Sequence, residues 1–96
     1  MIVLNDVVVI GNDFSLVALE NEFFFLPNST EGIVEEKLFA LNSTAYFIVS
    51  CIDGEKTVEE LVDLLCKKTA TTREIVEKDV LELLNVLYLK KIICKK

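Results

Sequence analysis

Side chains able to carry out chemistry are few in this sequence. It has no histidine, which removes the commonest general base and the commonest metal ligand. Cys51, Cys66 and Cys94 are scattered and contain no C-x-x-C pair, so they read as packed or surface thiols, not as a disulfide framework or a zinc site. Cys51 and Cys66 fall on or beside apolar helical stripes, where a thiol packs as a small hydrophobe. Cys94 has only Lys95 and Lys96 as basic neighbours. Gly11, Gly32 and Gly54 are isolated, so no glycine-rich loop is available to cradle a phosphate. Carboxylates are plentiful, but Glu59, Glu60, Asp63, Glu74, Glu77 and Glu82 fall on polar helix faces, where pairs such as Glu74 with Lys78 are ordinary i,i+4 neighbours. Asp79 differs, because it directly precedes the apolar Val80 on the flank of a buried stripe; the simplest role for it is to bond a nearby amide or lysine. These residues predict a binding module that is not an enzyme, with no cofactor and no metal.

The elements that would position such a module divide the chain in two. The first 42 residues read as strands. Val7 to Ile10 is a β-branched run closed by Gly11-Asn12-Asp13. Phe14 to Leu26 is apolar and broken at Glu20-Asn21-Glu22, so it makes either one bent strand or two. Pro27 to Gly32 is the strongest loop signal, and Lys37 to Leu41 reads as another strand. The remainder is helical. Ala45, Ile48, Val49 and Ile52 follow i, i+3, i+4, i+7 behind Asn42 or Ser43 as cap. Asp53-Gly54 stops that helix. Thr57-Val58-Glu59-Glu60 is a capping box that opens a second helix with Val58, Leu61, Val62 and Leu65 on one stripe. Thr71 to Glu74 repeats the pattern before a longer helix whose buried line is Val76, Val80, Leu83, Leu84 and Leu87. Lys90 and Lys91 suit its C-terminal dipole end, and Ile92-Ile93 precedes a basic tail.

Composition bounds what this arrangement can do. The chain has 96 residues, enough for one domain with one core, and 52% hydrophobic against 27% charged residues predicts a folded globule. A mean hydropathy of +0.45 is high for this size; it is met either by a dense core or by apolar surface that a partner or a second copy covers. The longest uncharged run, Leu38 to Ile52, is too short to span a bilayer, and the N-terminus lacks the pattern of a signal peptide. A cytoplasmic protein with no membrane contact is expected. The net charge of −6, from 16 acidic and 10 basic residues, repels phosphate backbones and disfavours nucleic acid as a partner. Strands followed by three helices give an α+β class, and the tight turn at Asp53-Gly54 suggests a helix-turn-helix arrangement.

Three segments together resemble one family. Leu41-Asn42-Ser43-Thr44-Ala45 is similar to an L-N-x-T-A junction between the third strand and first helix. Asp53 to Glu60 is similar to D-G-x-x-T-[VI]-x-E, and Val76 to Leu84 followed by Leu87 and Ile92-Ile93 is similar to V-x-x-D-V-x-x-[FL]-L-x-x-L with a K-G-L-I type turn. These are features of PqqD-like proteins, winged-helix domains that act as recognition elements in the modification of ribosomally made peptides. The match runs over residues 41–93, with the strand region matching only in outline. Lys91 stands where the family usually carries glycine, leaving the turn after the third helix open to a different geometry. The loop around residues 27–36 is longer than in compact members, leaving the register of the hairpin open.

The resemblance implies a single domain over residues 1–96: a winged helix-turn-helix with an N-terminal three-stranded antiparallel sheet followed by three helices. It also implies a function, holding the leader part of a precursor peptide as an added strand between the third strand and third helix. The leader would be presented to a separate modifying enzyme such as a radical SAM protein, a cyclase or a protease. On the strand the implied contacts are Lys37, Leu38, Phe39 and Ala40. On the third helix, Lys78, Leu81, Asn85 and Tyr88 are candidates for the groove wall, with Glu77 on the same side. Leu81 and Tyr88 could equally cover the N-terminal strands, and the opposite flank, Ile75, Asp79, Glu82 and Val86, is the alternative wall. Two other functions fit the same scaffold. A winged-helix transcription regulator would need a basic recognition helix, which Glu74, Glu77, Asp79 and Glu82 oppose, although Lys90, Lys91, Lys95 and Lys96 could touch a DNA backbone. A dimerisation or scaffold module, in the form of a homodimer, would account for the high hydropathy.

Overall fold

A computed structural model describes residues 1–20, 22–27 and 39–96. The elements run in the order β1 (Val8–Ile10), β2 (Phe14–Leu19), β3 (Glu22–Pro27), β4 (Phe39–Leu41), α1 (Ser43–Ser50), α2 (Val58–Thr69), α3 (Arg73–Leu89) and β5 (Ile93–Lys95). The segment Phe14 to Leu26 resolves into two strands. Leu19 pairs with Glu22 and Phe14 with Pro27, and Glu20 turns the chain with φ 56, the left-handed backbone that a two-residue hairpin loop demands. β4 adds antiparallel to β3 through Phe23–Leu41, Phe24–Ala40 and Phe25–Phe39. The expected three-stranded sheet therefore has the order β2-β3-β4. Residues 28–36, where the open loop register falls, lie outside the described residues.

Two-residue alternation turns Phe14, Leu16, Phe23, Phe25, Phe39 and Leu41 to one side of this sheet. Phe25 is completely buried, and the Phe23 ring stacks on Tyr46 of α1 at 4.2 Å between centroids. β1 does not join that sheet. It pairs instead with β5, Val8 opposite Lys95 and Ile10 opposite Ile93, so the tail after Ile92-Ile93 is a strand. Three residues are too few to display an alternation in sequence, which is why this ribbon was illegible there.

Local chemistry explains where the helices begin. Asn42 Oδ1 accepts the Ala45 N–H at 2.7 Å and caps α1. At α2 the capping box is complete: Thr57 Oγ1 accepts the Glu60 N–H at 3.2 Å and Glu60 Oε1 accepts the Thr57 N–H at 3.1 Å. The second expected box does not form. α3 starts after Thr72, which makes no side-chain cap bond. Thr71 Oγ1 instead donates to the Thr69 carbonyl, and Glu74 is one position too early to reach back.

The turn between α1 and α2 is built by Asp53 and Gly54. The Asp53 carboxylate accepts the N–H groups of Glu55 and Lys56, both at 2.9 Å, and the Lys56 ammonium at 2.6 Å. The Lys56 side-chain bond first, and then the two backbone donors, hold this carboxyl well below the usual carboxylate range. Gly54 is buried with φ +79, and a Cβ there would come within 3.2 Å of Val9 Cγ1. The turn also receives the Lys96 ammonium on the Gly54 carbonyl at 2.7 Å.

At the other end of α3 the chain closes in a Schellman motif. The Ile92 N–H reaches the Leu87 carbonyl at 3.0 Å and the Lys91 N–H the Tyr88 carbonyl at 3.1 Å, with buried Leu87 and Ile92 at the two ends of the motif. Lys91 adopts the left-handed conformation, φ 63. The absent glycine thus leaves the turn intact, at the cost of some backbone strain. No helix among the described residues is long and apolar enough to cross a membrane.

Two outcomes follow for stability. Lys91→Gly removes the strain but adds chain entropy to the unfolded state, so urea unfolding should show a gain of up to about 1 kcal/mol; a loss would contradict the left-handed assignment. Asp53 has a lower pKa folded than unfolded, so its contribution is full above about pH 4 and drains away as pH falls through the depressed value. Asp53→Asn should therefore be less stable than the parent at pH 7, with the two melting temperatures converging between about pH 4 and pH 2.

Candidate functional site

The site follows from how α3 is rotated about its own axis. Val76, Val80, Leu84 and Leu87 are buried, Leu84 and Leu87 completely, and they fix one line of the helix against the core with Leu61, Val62, Val49 and Phe25. At about 100° per residue the flanking positions are then determined. One flank carries Asp79, Leu83, Val86 and Lys90, at i, i+4, i+7, i+11. The other carries Glu77, Leu81, Asn85 and Tyr88. Leu83, expected on the buried line, is half-buried and belongs to the first flank.

That first flank faces the edge strand. Lys90 Nζ lies 5.7 Å from the centre of the Phe39 ring, at the start of β4. Asp79 and Leu83 line a cavity of about 390 Å³ together with Asn42, Thr44, Ala45 and Ile48, just beyond the end of β4. The strand and this face of the helix therefore run antiparallel. β4 has β3 on one side and, among the described residues, no strand on the other. Among the described residues this leaves a trough between the edge of β4 and the flank of α3 that carries Leu83 and the 40% exposed Val86, with a charge near each end. Asp79, expected to bond an amide or a lysine, makes no hydrogen bond or ion pair with the described residues.

The other flank is already occupied by the N-terminal segment. Asn85 Oδ1 accepts the Ile2 N–H at 2.7 Å, and Asn85 Nδ2 donates to the Ile2 carbonyl at 3.2 Å and the Leu81 carbonyl at 2.9 Å. Its amide copies the pairing of a neighbouring strand and has no donor left over. Ile2 is buried beneath it, and Leu81 and Asn85 line a shallow depression with residues 1–5. Tyr88 lies near β5, with Lys95 Nζ 5.9 Å from its ring centre. Lys78 is exposed on the rim near Met1, Glu74 and Glu82. The helix rotation thus places Lys78, Leu81, Asn85 and Tyr88 away from the edge strand and sets the alternative flank beside it.

Of the strand residues, Phe39 and Ala40 lie at the trough, Phe39 turned inward and Ala40 exposed. Lys37 and Leu38 lie outside the described residues. Asp79 and Val86 belong to the alternative wall expected from the sequence, whereas Leu83, expected in the core, and Lys90, expected as a helix-end charge, complete the same flank. The i, i+4, i+7, i+11 spacing was readable; which flank meets the strand was not.

The basic tail is largely committed. Lys95 Nζ pairs with Asp6 at 3.5 Å, and Lys96 is held by its N–H to the Val7 carbonyl as well as by the turn carbonyl of Gly54. Asp6 is kept below the ordinary aspartate range mainly by the Val3 N–H, with Lys95 adding to it. On the far side, Arg73 at the start of α3 is bonded to Asp63 and lies 3.6 Å from Glu59, tying α3 to α2.

Comparison with known proteins agrees with this architecture. A curated relative, the "PqqA binding protein" of Gluconobacter oxydans (strain 621H), is 34% identical over 58 residues, which is 60% of this chain and 60% of that protein. The solved structure of TbiB1 in complex with the TbiA(beta) leader peptide superposes with a TM-score of 0.71 at 25% identity, over 88% of this chain and 92% of that one. The model of the family described as coenzyme PQQ synthesis protein D matches residues 17–93, a span that runs from the second half of β2 through all three helices and the turn after them, and the chain belongs to this PqqD family.

Proposed function

We propose that the protein binds the leader segment of a ribosomally synthesised precursor peptide as a strand added to β4, and presents it to a separate modifying enzyme such as a radical SAM protein, a cyclase or a protease. The observation that carries this reading is that the edge of β4 beside the Asp79–Lys90 flank of α3 has no strand paired to it among the described residues. An added strand would complete the sheet and satisfy the main-chain groups along that edge. Its alternate side chains would meet Phe39, Leu83 and Val86. The likeness to a solved leader-peptide complex supports the same reading, as does the relative named for binding PqqA. The protein would act here through binding, leaving chemistry to its partner.

DNA recognition by the same scaffold is less well supported. The exposed face of α3 carries Glu74, Asp79 and Glu82, and two of the four C-terminal lysines are held by Asp6 and Gly54. Both features oppose a phosphate backbone.

Val86 is the sharpest test because it is exposed and outside the core. Val86→Glu should weaken binding of a fluorescently labelled leader, taken from a precursor encoded beside the gene, by at least about tenfold, with an unchanged far-UV circular dichroism spectrum. Lys78→Ala, on the solvent-exposed rim near Met1, should change affinity less than about twofold. Equal losses in both variants, or no saturable binding by the parent protein at tens of micromolar, would overturn the proposal.

A further inference from the structure

The trough is apolar in its middle and oppositely charged at its ends. We infer that Asp79 and Lys90 are specificity-determining residues: they select, and set the register of, an extended peptide with a basic side chain at one end and an acidic side chain at the other. This inference rests on the strand-addition reading above and adds to it the chemistry of the peptide. Eleven residues of helix place the two charges about 16 Å apart along the axis. An extended strand covers that distance in about five residues. The side chains that face α3 alternate, so the two charged positions are about four or six residues apart and bracket one or two apolar ones lying over Leu83 and Val86.

Both charges are available for this role. Asp79 is exposed and without a partner among the described residues, in contrast to Asp53 and Asp6, which are bonded. Lys90 is exposed, and its ammonium sits over the Phe39 ring, at the entrance to the strand edge. An acidic peptide side chain there would meet a cation already positioned by an aromatic face. A peptide shifted by one residue would turn its apolar side chains outward, and one shifted by two would bring its charges out of line with the ends of the trough. The pair therefore supplies the register that a short, uniform main-chain edge cannot. In a protein of net charge −6, Lys90 also gives an acidic leader residue a local cation to meet.

The test is a randomised twelve-residue display library selected in parallel on the parent protein, Lys90→Glu and Asp79→Lys, each checked for folding by circular dichroism. Both side chains are exposed, so the folds should persist. The parent should enrich peptides with an acidic and a basic position about four or six residues apart around apolar residues. Lys90→Glu should invert the preference at the acidic position alone, and Asp79→Lys at the basic position alone. Synthetic peptides from the parent selection should bind each variant roughly three- to tenfold more weakly, and charge-swapped peptides should restore the loss. Enrichment of the same apolar peptides by all three proteins, without charge preference, would overturn the charge inference and leave strand addition standing. Failure of every protein to enrich any related set would overturn strand addition itself, and this inference with it.

Discussion

The rotation of α3 about its axis governs everything else in this protein. Burial of Val76, Val80, Leu84 and Leu87 is worth on the order of 1.5–3 kcal/mol per side chain, so the helix cannot turn by even one residue without exposing part of that line. With the line fixed, the two flanks have fixed fates. One is sealed by the N-terminal segment through the paired bonds between Asn85 and Ile2. The other is left beside the edge of a sheet. Function and stability therefore share one constraint but use different side chains.

An unpaired sheet edge is normally a liability, because it offers a template to any extended chain. Here the described part of the edge is three residues long, and charged side chains bracket the helix face that borders it. Such an arrangement limits indiscriminate pairing while keeping the edge accessible. Elsewhere the fold closes its ends firmly. β1 and β5 bring the two ends of the chain together, Lys96 and Val9 pack against the Asp53-Gly54 turn, and Asp6 holds Lys95. The rigid side of the molecule is thus opposite in character to the trough, where no comparable cross-links occur among the described residues.

Much of this was legible in the sequence, for identifiable reasons. Asn42 and Thr57 with Glu60 are short-range signals whose chemistry is complete within a few residues, and each caps the helix its type and spacing predict; Asp53-Gly54 builds the expected turn, although α1 already ends at Ser50 and leaves Ile52 outside it. The stripes of α2 and α3 were readable because 3.6-residue periodicity persists over several turns. Two of the failures have a common cause as well. The β1–β5 ribbon and the side of α3 that meets β4 depend on residues distant in the chain, whereas α3 simply starts one residue later in its threonine run than the capping pattern suggests. Periodicity specifies that a helix has two flanks but not which neighbour each one meets. Asn85 illustrates the point: an amide on a flank looks like a ligand contact in sequence, and it is a clamp for Ile2 in three dimensions. Lys91 shows the converse, since its type argued against a left-handed turn that the packing of Leu87 and Ile92 nevertheless imposes.

Strand addition beside the Asp79–Lys90 flank is the central claim, and amide hydrogen exchange reads it directly. Exchange should be compared with and without saturating leader peptide. New protection is expected at the β4 amides that point away from β3, with that of Ile2 to Leu4 unchanged because those residues are already docked. Protection confined to residues 1–5 and the Leu81–Asn85 side of α3, with β4 unaltered, would contradict it.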